Sequence, residues 1–233
     1  MRDSSILQSA ASRENALLKN VYLWMILGVF ASGVVAFLVS VSPALQMLIF
    51  GNPVALIAIV IAEFALVFFL SARTERMSSG AAIASFLGYA VLTGLTLGSV
   101  FLVFAPTVIA KAFISTLSVF VGASLYATFS KRDVRSWGRY LFMALVGILV
   151  ATLLNFFFRS SMLDYLISIA GVVIFTLLTV WDTKKILSIN ENYGIMMTND
   201  ELTKIGILGA LDLYLDFINI FLYLVQIFSR HDN

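Results

Sequence analysis

Five polar residues recur along the last apolar stretch of the chain, Asp212, Asp216, Asn219, Tyr223 and Gln226, at steps of four, three, four and three. On an α-helix turning about 100° per residue, this spacing confines them to a stripe about 80° wide. An Asp at the centre of a membrane helix costs roughly 2.5–3.5 kcal/mol on insertion scales, so two acids one turn apart point to work that needs ionisable groups. Asn219, Tyr223 and Gln226 have a plainer role open to them, the interhelical hydrogen bonding that joins membrane bundles.

Two further acids interrupt apolar runs. Asp182 ends one of them beside Lys184 and Lys185. It reads either as an interfacial carboxylate or as the partner of an acid on the last helix. Asp216 lies near the middle of its stretch and Asp182 nearer a boundary, so the two meet only if the last helix starts deep or the preceding one protrudes. Two carboxylates ~4 Å apart at an effective dielectric of ~20 repel by ~4 kcal/mol, about three pKa units between successive deprotonations. Such a pair holds one proton over a broad range near neutrality and titrates as a unit, which makes it a proton-operated latch. Glu63, in the middle of another run, fits either a cation pathway or a neutral, protonated packing group.

These residues have to be positioned by helices that cross a membrane. The chain of 233 residues is 61% apolar and only 12% charged, with mean hydropathy +0.99, whereas a soluble domain is roughly 45–50% apolar and about a quarter charged. Seven runs approach or exceed the ~20 apolar residues that a spanning helix needs: Asn20–Val41, Pro53–Ala72, Ala81–Ala105, Ala112–Ser130, Tyr140–Phe158, Tyr165–Trp181 and Ile205–Ser229. The fold class is therefore all-α and polytopic. Pro43, Pro53 and Pro106 fall between runs, and Asn52-Pro53 reads as a cap followed by a first-turn proline. Gly94 with Gly98, and Gly206 with Ala210, are spaced for close helix approach. No sequence repeat is apparent.

The same inventory excludes several chemistries. Cysteine is absent and the single histidine, His231, lies in the polar tail, so thiolate sites, zinc and histidine-based catalysis are not expected. A net charge of +2 does not suggest nucleic acid.

Loop charge sets the expected orientation, because Lys and Arg are retained on the cytoplasmic side. Arg2, Arg13 and Lys19 precede the first span; Arg73 and Arg76 follow the second; Lys131, Arg132, Arg135 and Arg139 follow the fourth; Lys184, Lys185 and Lys204 follow the sixth. Twelve of the 15 basic residues thus fall on one side, leaving Lys111, Arg159 and Arg230 on the other. The expected organisation is a cytoplasmic amino-terminal segment (1–19), a seven-helix transmembrane domain (20–229) and a carboxyl-terminal tail (230–233) outside. The first run is too long for a signal-peptide core, so an uncleaved first span is expected.

The segment Ile207–Phe228, containing L-Y-L-D-F-I-N, together with V-W-D-T-K-K-I at Val180–Ile186, resembles the Bax inhibitor-1 family, also called the transmembrane Bax-inhibitor-motif proteins. The order of spans agrees along nearly the whole chain, and the short termini are similar to those of the bacterial branch, which implies the cytoplasmic (inner) membrane. The resemblance implies a seven-helix fold whose last helix is central, wrapped by the other six in two three-helix layers. It also implies a pH-sensitive calcium leak gated by an aspartate pair, which falls on Asp182 and Asp216, with Asp212 at a more variable position. An arginine that contacts the pair in the family is replaced here by Thr74, flanked by Arg73 and Arg76, and Arg73 is the candidate counter-charge.

The leading expectation is a calcium-permeable leak channel. Carboxylates supply the hard oxygens that suit Ca²⁺ as a permeant ion, with Glu63, Asp212, Asn219, Tyr223 and Gln226 as candidate path residues. No catalytic residues, no cofactor and no tightly bound metal are expected. Complete ionisation should push the aspartates apart, although a neighbouring cation can reverse that consequence. Trp181-Asp182 and Gly209-Ala210-Leu211-Asp212 also resemble, faintly, the two motifs of intramembrane aspartyl proteases, a mechanism that would need Asp212 opposite Asp182. A third reading, allowed by the resemblance, is a regulator that binds a membrane protease or a death-signalling partner.

Overall fold

The computed structural model describes the backbone of residues 2–134, 136–193 and 197–230, and side chains from residue 17 onward except those of 75 and 190–193. Arg135, His231 and the side chains of Arg2 and Arg13 therefore lie outside the described residues. Among the described residues eight α-helices follow one another: α1 (Arg2–Val41), α2 (Pro43–Phe50), α3 (Pro53–Arg73), α4 (Ser79–Val103), α5 (Pro106–Phe129), α6 (Trp137–Phe158), α7 (Ser161–Tyr193) and α8 (Asn199–Ser229). Among the described residues there is no strand. Seven of these helices, all but α2, are long and apolar enough to cross a membrane.

Local chemistry explains where the helices begin. The Asn52 side chain accepts from the Val54 amide at 3.0 Å and Pro53 opens α3, as its dipeptide suggests. Ser42-Pro43 uses the same device to start α2, a short helix that a search for long spans passes over. Gln46 of α2 then donates to the carbonyls of Val39 and Ser40, satisfying acceptors that the end of α1 leaves open. Thr198 and Glu201 form a reciprocal box at the start of α8, with amide-to-side-chain distances of 2.8 and 3.3 Å. Between α6 and α7 the chain turns within two residues: Arg159 takes the left-handed conformation (φ 51°, ψ 35°), and Asn155 accepts from the Ser160 amide at 3.0 Å.

Several boundaries differ from those read in the sequence. Lys111 lies inside α5, which starts at Pro106, because a lysine stem tolerates a position near a helix end. Lys184 and Lys185 belong to α7 and Lys204 to α8, so they are helical residues and not loop residues. Asp182 consequently does not end a helix: α7 continues to Tyr193. The charges that stop the hydropathy run do not stop the helix.

The helices form two compact units, Met1–Val103 with Ser188–Tyr214, and Phe104–Leu187 with Leu215–Asn233. In the first unit α1 and α4 pack at close range. A Cβ on Gly94 would lie 2.6 Å from Val35 Cβ, and one on Gly98 would lie 2.5 Å from a Val39 methyl. Glycine is required there because lipid gives helices no hydrophobic reason to associate, and close packing must supply the attraction. In the second unit Ala123, Ala127, Val134 and Val180 form a buried cluster against which Trp137 and Trp181 pack. Gly138 makes room for the Trp181 ring, which a Cβ would approach to 2.6 Å. Among the spans, α8 is the most buried, 67% of its apolar stretch against 6% for α3.

Candidate functional site

Within the second unit, α7 and α8 run antiparallel and their contacts define a register. Arg230 donates to the Asp164 carboxylate at 2.5 Å and to the Ser161 carbonyl at 2.6 Å. Ser168 donates to Gln226 Oε1 at 2.8 Å. The Tyr223 ring occupies the space that a Gly171 side chain would fill and lies 6.0 Å from the Phe175 ring. The residue numbers of the pairs 164/230, 168/226 and 171/223 each add to 394, and those of 175/223 to 398. Extended by two turns, the total of 394 sets Leu178 at the level of Asp216, with Asp182 four residues further along α7.

Both members of the expected pair are buried, Asp182 at 6% exposure and Asp216 at 3%. Burial of Asp182 follows from the continuation of α7, which keeps it flanked by Thr179 and Thr183, each fully buried. Lys185 is a cation beside Asp182, its Nζ 3.9 Å from Oδ1. Lys185 is half exposed and stands over the Trp181 ring at 5.3 Å. Lys184 donates instead to the Ser130 carbonyl at the end of α5. Two buried hydroxyls in this unit, Ser124 Oγ and Thr183 Oγ1, have no hydrogen-bond partner among the described residues. Unsatisfied buried groups of this kind cost about 1–3 kcal/mol each, and ordered water is the usual remedy.

The rest of the stripe divides. Asn219 donates to the Leu215 carbonyl of its own helix at 2.8 Å. Gln226 is hydrogen-bonded to α7 and Tyr223 packs against it, so the far end of the stripe makes interhelical contacts of the kind that membrane bundles use. Asp212 is half-buried and belongs to the first unit. Glu63, also in the first unit, accepts from Thr96 Oγ1 at 3.0 Å. Arg73 is exposed, its guanidinium 5.8 Å from the centre of the Phe69 ring, while Thr74 is buried.

One cluster escaped the sequence reading. In the first unit the Tyr214 hydroxyl lies 2.6 Å from Ser32 Oγ, which also contacts the carbonyls of Ala90 at 2.7 Å and Gly28 at 3.0 Å. Ser32 has one proton and two carbonyl neighbours, so Tyr214 must be the donor to Ser32. The Tyr214 ring is met edge-on by Phe86 and Tyr89, each at 5.8 Å. A serine and a tyrosine in apolar runs carry no signal of their own, and only their pairing across the fold singles them out.

Seven long apolar helices, two of them each carrying a buried aspartate, define an integral membrane protein of the α-helical, polytopic class. The family model described as "Inhibitor of apoptosis-promoting Bax1" matches residues 14–233, and the chain belongs to this Bax inhibitor-1 family. The inner membrane protein YbhL of Escherichia coli K12 is 42% identical over 229 residues, covering 98% of this chain and 97% of the relative. A protein of Borreliella burgdorferi is 38% identical over 222 residues, covering 94% of each. A membrane protein of Streptococcus pyogenes is 33% identical over 235 residues and full-length on both sides.

Proposed function

We propose that this protein is a calcium leak channel of the bacterial inner membrane, opened and closed by proton exchange at Asp182 and Asp216. The observation that supports the reading is the burial of both carboxyl groups on helices that run antiparallel within one compact unit. Two acids so confined exchange protons as a unit, and their mutual repulsion depends on how many protons they hold. Helix α7 extends about three turns beyond Asp182, at 3.6 residues per turn, so a change in the pair has a lever on which to act. Asn219, Tyr223 and Gln226 line the continuation of the stripe, and Ca²⁺ crosses as a permeant ion without a resident metal, cofactor or catalytic residue. The amino terminus lies in the cytoplasm and the carboxyl terminus outside, with 1–19 and 230–233 flanking the membrane domain. Calcium flux into liposomes holding the purified protein, measured as pH is varied, tests the reading. Flux absent at every pH would overturn it.

A further inference from the structure

A cavity of about 490 Å³ lies in the first unit, where α1 and α8 start their spans, and its walls include Leu17, Lys19, Asn20, Leu23, Leu202 and Thr203. The apolar runs of α1 and α8 begin at Asn20 and Ile205, so the cavity sits at the edge of the hydrocarbon region. Its lining is divided in kind: an ammonium, an amide and a hydroxyl from Lys19, Asn20 and Thr203, and three leucine side chains. Two described acids at the start of α8 are engaged elsewhere. Asp200 accepts from Lys204 at 3.0 Å and from the Ser79 amide at 3.3 Å, and Glu201 is held by Thr198.

The apolar wall does not end at the cavity. Leu23 begins a row of exposed side chains, Ile26, Leu27 and Phe30, that recur at helical spacing along α1. An occupant with a polar end among Lys19, Asn20 and Thr203 therefore has an apolar track leading from it along the bilayer-facing surface. A free anion would leave that track unused, and a soluble partner could not follow it into the hydrocarbon. A phospholipid fits both halves, and the ammonium of Lys19 selects one with a negative headgroup, as basic recesses between membrane helices do.

We propose that this recess is a binding site for an anionic phospholipid, its headgroup phosphate held by Lys19, Asn20 and Thr203 and one acyl chain laid along Leu23 and Phe30. No residue of the site belongs to the second unit, which holds Asp182 and Asp216. The test is native mass spectrometry of the purified full-length protein, mixed in detergent with equal amounts of phosphatidylglycerol and phosphatidylcholine, and separately with inorganic phosphate. Phosphatidylglycerol should be retained in preference to phosphatidylcholine, and phosphate alone should not be retained. Lys19→Gln should weaken that retention about five-fold, the worth of one basic side chain at an anionic surface. Lys19→Arg should keep most of it, Thr203→Trp should obstruct the recess and reduce it, and Lys131→Gln, which alters an exposed lysine elsewhere, should leave it unchanged. Equal retention of the two lipids, wild-type retention by Lys19→Gln, or binding of phosphate as strong as that of lipid would each overturn the proposal.

Discussion

Tyr214 on α8 and Ser32 on α1 are joined by a 2.6 Å hydrogen bond between two fully buried side chains. Their roles are unequal. Without the Tyr214 hydroxyl, Ser32 still donates to Ala90 or Gly28, and Tyr214→Phe should cost about 1 kcal/mol, the net worth of one ordinary hydrogen bond. Without the Ser32 hydroxyl, the tyrosine proton loses the acceptor that holds it at 2.6 Å in a buried place, and Ser32→Ala should cost about 1–3 kcal/mol. Unfolding in detergent should rank the variants in that order. Equal losses would show that Tyr214 has another acceptor.

The glycines of α4 and α5 differ in what surrounds them. A Cβ on Gly94 would meet Val35 and the Ser32 carbonyl at 2.6–2.8 Å, whereas one on Gly122 has nothing within 4 Å. Gly94→Ala should therefore destabilise by about 1–3 kcal/mol through overpacking, and Gly122→Ala should be neutral or stabilising by up to about 1 kcal/mol. Thermal unfolding of the two variants beside the parent decides this. A silent Gly94→Ala would mean that α1 and α4 have room to separate.

The stripe on α8 makes a graded prediction for aqueous thiol reagents. Cysteines at Asn219 and Tyr223, which are partly exposed, should react faster than cysteines at Leu213 and Phe221, which are buried. Uniform protection would mean that the stripe only binds helices together, as Gln226 and Ser168 already do.

The twelve basic residues on one side predict topology. A periplasmic reporter fused after Asn233 should be active, and one placed between Lys131 and Arg135 should be silent. The opposite pattern would overturn the orientation.

Which features were legible in the sequence depended on the length scale of their cause. Seven spans follow from hydropathy, because each is a property of about twenty consecutive residues. The Asn52-Pro53 start was readable because a cap is local, and Ser42-Pro43 carries the same information in a helix too short to be sought. The extent of α7 was not readable: Lys184 and Lys185 end the apolar run, but a helix can carry lysines wherever their ammonium groups find an acceptor, as Lys184 does at Ser130. This single difference moves Asp182 from a helix end to a buried mid-helix position. The Tyr214–Ser32 bond was invisible because its partners lie 182 residues apart. Lys185, by contrast, lies three residues from Asp182, and its approach to that carboxylate follows from the continuation of α7 past the apolar run.

The most direct test concerns the two buried aspartates. Replacing either by Asn keeps its size and much of its hydrogen bonding while removing one titratable charge, so the remaining carboxyl has no like-charged neighbour to split its titration. Calcium flux should be followed against pH in liposomes for the parent, Asp182→Asn, Asp216→Asn, the double variant and Asp212→Asn. The account predicts that each single change at Asp182 or Asp216 flattens the pH dependence, that the double variant adds little because the two act as one unit, and that Asp212→Asn largely preserves the parent profile. Parent-like pH dependence in both Asp182→Asn and Asp216→Asn would contradict it and turn attention to Glu63.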